Sequence, residues 1–575
     1  MRVPVDHACW AETAAFLDHS DRRQLLALCK ASVESPVRRD FFAQSTWRVP
    51  TDGRVASRVL KTMTMKRVVK CVRTESSWQQ VYLDEFPALE SLEIVDNPDE
   101  CGAVLSASLP VRLKKVDVKR KNVGSLKALA RLENLEELSL YADVMYDASA
   151  LQELQRLIKL TIKSCPLDVR NGECTADWIG SLVNLRSLHT WHPQLVDRSL
   201  ISLIHLEELM ICTWCDVDLD ILTALAPRLT RLDMAEEPIT GAPPRRETDR
   251  CLASLVKMEN LRIGGDNFIY GKLDALSGLD SIRILYLFLD GIEIDDLGPL
   301  ATLVDLEELT VSAPNTDWSP IASCKELRMV DLQATEYQKN CSAMKALYEL
   351  PLLTTLKNPF RLMKQYPLEH VTVMEASRDH GEFEFEEGCC PNVDKLILDG
   401  TFVMSNIVAS FPKLRHLELS GDSATVDADI RSLACLTRLE TLVWPQNCAS
   451  CCGFAFLGEL TRLQHLDLTR DPIADISMLG QLRELRSLKL KRTLVRDITL
   501  LAGLKRLERL DLSLSRVRDV SCLYGHPQLR WLRIPTEADC GPLVKEYGVG
   551  LPNIVRIVHG AERNCIWRHW LGVHR

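Results

Sequence analysis

The stretch LTRLQHLDLTRDPIADISML, residues 460–479, is followed by two more copies of the same pattern. The second copy, LRELRSLKLKRTLVRDITLL, starts at residue 482 and the third, LKRLERLDLSLSRVRDVSCL, at residue 504. Each copy reads L-x-x-L-x-x-L-x-L, then a polar residue three positions on, then I/V-x-D-I/V-S/T-x-L. The starts are evenly spaced with a period of about 22 residues, and this regularity predicts a repeat architecture.

Within one copy, two kinds of segment contribute to a core. Leu466 and Leu468 alternate with Asp467, which is typical of a short strand with one buried face. Ile473 and Leu479 then return from the far side of the unit to the same core. One such unit cannot bury its own apolar side, whereas stacked units can, so the pattern predicts an array.

The strand phrase recurs along most of the chain. Copies start at residues 86 (FPALESLEI), 132 (LENLEELSL), 154 (LQRLIKLTI), 182 (LVNLRSLHT), 203 (LIHLEELMI), 255 (LVKMENLRI), 279 (LDSIRILYL), 303 (LVDLEELTV), 324 (CKELRMVDL), 390 (CPNVDKLIL), 411 (FPKLRHLEL), 436 (LTRLETLVW) and 526 (HPQLRWLRI). Weaker copies lie near Val111, Ala226, Leu350, Gln365 and Leu551. About twenty repeats at a period of roughly 20–29 residues fall in the range of leucine-rich repeats.

Over about residues 86–560 the units resemble the leucine-rich-repeat family. The resemblance implies an α/β solenoid with a curved parallel sheet on the concave side and short 3₁₀, loop or helix segments on the convex side. The family's asparagine position is held by Asn97, Asn447, Asp143, Asp422, Asp471, Thr493 and Ser515. The Ser/Thr usage, together with D-I/V-S, is similar to the short leucine-rich-repeat proteins of trypanosomatid parasites.

Residues 1–60 do not repeat, and they predict three short helices, the last being SPVRRDFFAQSTW. The phrase LDHSDRRQLLALCK within them resembles the middle of an F-box. The matching residues are Leu17, Asp18, Asp21, Leu25, Cys29 and Lys30. The resemblance implies docking to a Skp-type adaptor, with the array as substrate receptor of a cullin–RING ubiquitin ligase. Val5 and Asp6 stand where that family has Leu-Pro. The alternative is a small N-terminal helical cap over the open edge of the first repeat.

These observations divide the chain into six segments. They are 1–60, a helical cap or F-box-like segment; 61–85, a linker or first capping repeat; 86–355, the first part of the array; 356–389, an irregular repeat with an acidic loop; 390–560, the second part of the array; and 561–575, a C-terminal tail.

Composition limits the possible partners and compartments. The net charge is −9 over 575 residues, which gives no reason to expect nucleic-acid binding. No apolar run is long enough to span a membrane, and the N-terminus lacks the pattern of a secretory signal. We therefore expect a cytoplasmic or nuclear protein with reduced thiols.

No pattern for catalysis, metal or cofactor binding accompanies the repeats. Cys212 and Cys215 form one C-x-x-C, and Cys448 and Cys451 another, but neither has a second ligand pair at zinc-finger spacing. Phosphate-binding glycine motifs are absent, and no histidine stands in a nucleophile–base arrangement. The sequence predicts a protein that is not an enzyme and needs no cofactor.

Function is expected on the side chains between the strand leucines, which point away from the core. The predicted partner-binding residues are Trp191, Met210, Tyr286, Phe288, His416, His465, Asp467, Lys489, Lys491, Trp531 and Arg533. Exposed aromatic residues at such positions anchor interfaces, or else pack against a neighbouring loop. The charged residues favour a solvated mixed-charge face over a basic patch. The sequence thus predicts a protein-binding protein; the alternative to a ligase receptor is a scaffold or regulatory subunit.

Overall fold

The computed structural model forms two compact units, Met1–Ile292 and Glu293–Arg575. The residues that the structure describes are 46–49, 71–74, 88–95, 109–119, 122–142, 144–164, 177–191, 195–211, 219–234, 248–264, 273–288, 294–313, 316–333, 341–359, 361–362, 364–377, 384–399, 404–420, 431–444, 454–523, 525–535, 556–559 and 564–565.

The first unit is a ladder of parallel strands. Its strands are β1 (Thr46–Val49), β2 (Cys71–Thr74), β3 (Ser91–Val95), β4 (Lys115–Lys119), β5 (Asn122–Ser125), β6 (Glu137–Ala142), β7 (Val144–Tyr146), β8 (Lys159–Ser164), β9 (Ser187–Thr190), β10 (Glu208–Ile211), β11 (Arg231–Met234), β12 (Asn260–Gly264) and β13 (Ile284–Phe288). Strands β5 and β7 pair only with each other. The others pair in parallel in the order β1, β2, β3, β4, β6, β8, β9, β10, β11, β12 and β13.

The second unit repeats this arrangement. Its strands are β14 (Glu308–Val311), β15 (Met329–Asp331), β16 (Thr355–Lys357), β17 (Arg361–Leu362), β18 (Val373–Ser377), β19 (Glu384–Phe385), β20 (Lys395–Asp399), β21 (His416–Ser420), β22 (Thr441–Val443), β23 (His465–Asp467), β24 (Ser487–Lys489), β25 (Arg509–Asp511), β26 (Trp531–Ile534), β27 (Arg556–His559) and β28 (Asn564–Cys565). Strands β17 and β19 form a separate pair, and β28 runs antiparallel to β27.

Short helices connect the strands. The α-helices are α1 (Leu219–Leu225), α2 (Thr248–Ala253), α3 (Cys341–Tyr348) and α4 (Met404–Ser410). The 3₁₀ helices are Leu126–Arg131, Ala148–Glu153, Asp177–Ser181, Arg198–Ser202, Asp274–Leu276, Gly298–Thr302, Ser319–Ser323, Arg431–Cys435, Phe454–Glu459, Ser477–Gln481, Thr499–Gly503 and Ser521–Leu523. A parallel sheet with one short helix or turn per repeat is the leucine-rich-repeat solenoid that the sequence predicts.

The strand leucines form continuous rows through the core. Leu466, Leu488 and Leu510 are direct partners on β23, β24 and β25, and all three are buried. Ile473 and Leu479 of the return segment are buried as well, as predicted. Because burial of one leucine contributes about 1.5–3 kcal/mol, the regular leucine rows are the main source of stability in each unit.

The D-I/V-S/T phrases start the 3₁₀ helices. The Asp497 carboxylate accepts the Thr499 N–H at 2.9 Å and the Thr499 hydroxyl at 2.5 Å. Asp519 accepts the Ser521 N–H at 2.8 Å in the same way. Each carboxylate satisfies a backbone donor that the first helical turn leaves open.

Hydroxyl groups replace the family's asparagine at the turn after the strand. Thr493 donates its hydroxyl to the Leu490 carbonyl at 2.9 Å, and Ser515 donates to the Leu512 carbonyl at 2.7 Å. Asp471, at the corresponding position, is fully buried. Short hydroxyl side chains therefore form local bonds to the backbone at this turn.

Replacement of Asp497 by Asn is expected to make the free energy of unfolding less dependent on pH in the acidic range. The hydroxyl and the N–H of Thr499 lower the pKa of the Asp497 carboxyl. A lowered folded-state pKa adds stability above the unfolded value of about 3.9, and that stability is lost as the pH falls through the folded value. In urea unfolding, the stability deficit of Asp497→Asn should therefore be present at pH 7 and shrink below about pH 4. A deficit that is constant with pH would contradict this role.

Two sequence predictions need correction. Thr46 and Trp47 lie in β1, where a helix was expected, because the sheet already begins there. The predicted boundary at residue 355 falls inside β16, and β18 pairs with β16 in register, so the irregular repeat contributes a full strand to the sheet. Segment 61–85, predicted as a linker or first capping repeat, contains the sheet strand β2. The F-box-like residues 17–30 lie outside the described residues.

Candidate binding surfaces on the sheet

On each main-sheet strand, the side chains that alternate with the buried leucines form what we call the outward face. Parallel pairing in register aligns these side chains in rows across the strands. One row in the second unit is Asp467, Lys489, Asp511 and Arg533, on β23 to β26. Asp467, Lys489 and Arg533 were predicted from sequence to face away from the core, and the register aligns them with the buried Asp511.

The charges of this row are balanced within the protein. Lys489 Nζ lies 2.7 Å from Asp467 Oδ2, and Arg533 Nη1 lies 3.9 Å from Asp511 Oδ2. Asp467 also accepts the Thr469 N–H, at 3.1 Å, so it is part of a turn as well as part of the row. The row is a mixed-charge surface, and its members are already engaged with each other. Their role in partner binding stays a prediction.

The remaining predicted residues of this unit surround that row. His416 and His465 are both in register with Thr441, which lies between them. Burial and the charge of Lys395 lower the pKa of His416, and burial and the charge of Arg486 lower the pKa of His465. Both rings are therefore neutral at neutral pH, which suits contact residues.

Trp531 and Lys491 occupy the margins of the same face. Trp531 is half-buried and lies beside Arg509 in the sheet register. Lys491 follows β24, and its carbonyl accepts the Arg470 N–H at 2.7 Å. Neither residue has a contact that assigns it a function, so the role of both in partner binding stays a prediction.

The first unit has a different row, in which lysines and aromatic rings alternate. Lys119 Nζ lies 5.6 Å from the Tyr141 ring centroid. Lys163 Nζ lies 5.8 Å from the same ring and 4.8 Å from the Trp191 ring. We call Lys119, Tyr141, Lys163 and Trp191 the lysine–aromatic row. Ammonium groups within about 6 Å of a ring face are attracted by its quadrupole, so the row orders its own lysines.

The two lysines of this row differ in their ionic partners. Lys119 lies 2.9 Å from Asp117 and 3.4 Å from Glu93, and hydrogen bonding to Asp117 raises the pKa of Lys119. Lys163 has no ion pair with any described carboxylate. Trp191 next to it is 39% exposed. Lys163 thus places a half-buried positive charge between two rings, without a described counter-ion.

Two more predicted residues lie on the outward face of the first unit. Met210 on β10 is half-buried and lies between His189 and Asp233 in the register. The Arg262 guanidinium lies 5.8 Å from the Tyr286 ring, which is a second cation–aromatic contact. Phe288 is the last residue of β13, and its side chain is outside the described part of the structure.

Sequence reasoning missed a set of exposed aliphatic residues ahead of the strands. Val183, Ile204 and Val256 are 43%, 64% and 59% exposed. All three follow the first leucine of the strand phrase, as in LVNL, LIHL and LVKM. A valine or isoleucine at this position, where the three regular copies have Thr461, Arg483 and Lys505, was the signal that could have shown them.

One pocket accompanies the short repeat between β16 and β18. Its volume is about 260 Å³, and α3 residues Leu347 and Tyr348 line it together with Leu353, Leu368 and Val371. The two strands are partners although the repeat that joins them is shorter than its neighbours, so no described helix fills the space beside α3. Glu369 and His370 also line it, so the lining is mixed apolar and polar.

Metal binding has no support among the described residues. No group of His, Cys, Asp and Glu there could hold a metal ion. Cys212, Cys215, Cys448 and Cys451 lie outside those residues. Burial raises the pKa of Cys324 to about 11, so this thiol is not a nucleophile at neutral pH. No helix within the described ranges is long and apolar enough to cross a membrane.

Comparison with known proteins adds two solved structures. No protein-family model matches the sequence, and no curated protein is similar to it. The crystal structure of a TLR13–ssRNA13 complex is similar at 18% identity, covering 83% of this chain and 72% of that one, with a TM-score of 0.48. An internalin, InlF of Listeria monocytogenes, is similar at 18% identity over 72% of this chain and 85% of its own, with a TM-score of 0.21. At these values neither likeness indicates what this chain binds.

Proposed function

We propose that this protein binds an acidic segment of a partner protein through the outward face of its first unit. The observation that supports the proposal is Lys163, whose ammonium lies between the Tyr141 and Trp191 rings without a described carboxylate partner. Solenoids of this kind bind along the exposed side of stacked strands, where each repeat contributes variable side chains.

The chemistry of the row defines the partner. A carboxylate placed on Lys163 forms a charge-assisted bond, and an apolar side chain beside it covers the exposed part of Trp191. Nucleic acid is a weaker fit, because phosphate binding needs several unopposed cations and Asp117 and Glu93 lie beside Lys119. The balanced row of the second unit offers no equivalent open charge.

Affinity capture from the source cell with the full chain tests this proposal. Wild-type protein should retain a protein partner that Trp191→Ala loses. Trp531→Ala is the matched control, because it removes the same side chain from the outward face of the second unit. Equal retention by Trp191→Ala and wild type, or a loss only in Trp531→Ala, would exclude the first unit as the binding surface.

A second candidate function rests on the F-box-like phrase at residues 17–30. Its resemblance supports a role as substrate receptor of a ubiquitin ligase, in which the array holds the substrate and a Skp-type adaptor holds residues 1–60. An adaptor pull-down with the intact chain and with Leu25→Asp tests it. Adaptor retained by the intact chain and lost in the variant supports the ligase role. No adaptor on the intact chain leaves the scaffold or regulatory-subunit alternative.

A further inference from the structure

The first unit carries a row of exposed apolar residues that no ionic or aromatic contact occupies. Val183, Ile204, Pro227 and Val256 are all exposed and precede β9, β10, β11 and β12. We call these four residues the edge stripe. Exposed apolar residues that are contiguous, rather than scattered singly, mark interaction sites.

Backbone bonds place the edge stripe in register. The Glu207 N–H donates to the Arg186 carbonyl, Thr230 to Glu207, and Glu259 to Thr230, each at 2.8 Å. Arg186, Glu207, Thr230 and Glu259 each come three positions after a stripe residue. Successive stripe residues are therefore also one strand apart, a spacing that we call one rung. With strands about 4.8 Å apart, the stripe extends over about 14 Å.

Small residues form one side of the edge stripe. Ser181 and Ser202 end the helical segments on their rungs, and Ser254 directly follows α2. Their hydroxyls donate to backbone carbonyls of residues three positions earlier, at 2.6, 2.6 and 2.5 Å. These short side chains protrude little from the surface. Because their hydroxyls already have backbone acceptors, a docked partner does not have to supply hydrogen bonds to them.

The other side of the edge stripe is basic. His205, Arg228 and Lys257 each follow a stripe residue directly. The Arg228 guanidinium donates to the Leu203 carbonyl at 2.8 Å, which fixes its charge beside the stripe. None of the three forms an ion pair with a described carboxylate. Arg228 and Lys257 therefore place two positive charges beside the stripe.

We infer that the edge stripe docks an amphipathic α-helix of a partner protein, with acidic residues along the flank of its apolar face. Apolar positions on such a helix alternate at three and four residues, which is an average step of about 5.2 Å along the axis. That step is within about 0.5 Å of the rung spacing, so one helical side chain meets each rung. An extended segment repeats its side chains every 6.6–6.8 Å or so and loses register after one rung.

The edge stripe is separate from the lysine–aromatic row. Val183 lies ahead of β9 and Trp191 directly follows it, so the two surfaces lie at opposite ends of the same strand. The inference therefore does not depend on the proposed function, and substitutions can remove either surface without changing the other.

A synthetic helix tests this inference on the full chain. The probe is a stapled 18-residue peptide with leucines at a helical 3–4 spacing and glutamates along one flank, and its Kd is measured by fluorescence anisotropy. We expect Ile204→Asp and Val256→Asp to weaken binding at least ten-fold and Lys257→Glu about five-fold. An isomeric peptide with the leucines shuffled should bind at least ten-fold more weakly.

Val304→Asp is the matched control. Val304 holds the same position in its repeat and is 54% exposed, but Lys325 occupies that position on the following rung, so it has no apolar neighbour there. The variant should leave the Kd unchanged. Absence of binding, equal binding of the shuffled peptide, equal weakening by Val304→Asp, or preference for anionic lipid vesicles over the peptide would each overturn the inference.

Discussion

Leu488→Ala is expected to destabilise the second unit by about 2–5 kcal/mol through the cavity it leaves. Leu488 is fully buried on β24, between Leu466 and Leu510. These neighbours are held by their own rungs and cannot collapse onto the missing side chain, so most of the cavity should persist.

The loss should also be local, because each repeat contacts mainly its neighbours. Hydrogen exchange should accelerate first in β23, β24 and β25, and the first unit should keep its wild-type rates. Ser487→Ala on the outward face of the same strand is the control and should change little. Uniform acceleration along the whole chain would contradict a solenoid held together by nearest-neighbour contacts.

Lys163→Ala and Trp191→Ala are expected to weaken partner binding in a coupled manner. A buried aromatic anchor contributes about 2 kcal/mol or more, so Trp191→Ala should raise the Kd by about 30-fold. Lys163→Ala loses the ion pair with the partner and the contact with the Trp191 ring at 4.8 Å. The double variant should lose less than the sum of the single losses by about 0.5–2 kcal/mol, because each residue orders the other.

Lys159→Ala is the matched control for this cycle. Lys159 lies on the same strand, β8, and faces outward like Lys163, but it has no described aromatic contact. Its removal should change the Kd less than removal of Lys163, and its effect should add to that of Trp191→Ala. Additive losses for Lys163 and Trp191 would show that the ring does not position the ammonium.

The fold was predictable from sequence because its determinants are local. Leu466 and Leu468 alternate around Asp467 within three residues, and the carboxylate of Asp497 bonds two residues ahead. Period-two alternation and short-range capping need no knowledge of distant contacts. The helix predicted over Thr46 and Trp47 failed because pairing of β1 with β2 overrides local preference.

The candidate surfaces depend on the register in which neighbouring strands pair, and the sequence predicts this register only in part. Lys163 and Trp191 meet although they are distant in sequence, because parallel pairing places the ends of β8 and β9 side by side. The pairing of Lys489 with Asp467 likewise follows from strand alignment. Outward residues could therefore be identified one by one, but not which charges are balanced and which are open.

Site-specific photo-crosslinking tests the central claim most directly. A photoreactive residue replaces Ser139, which faces outward on β6 between Asp117 and Thr161, and in a second variant replaces Ser487 on β24. The captured partner should be attached covalently at position 139, and Trp191→Ala should abolish the adduct. An adduct at position 487 with none at position 139 would show that the partner binds the second unit, and would contradict binding through the lysine–aromatic row.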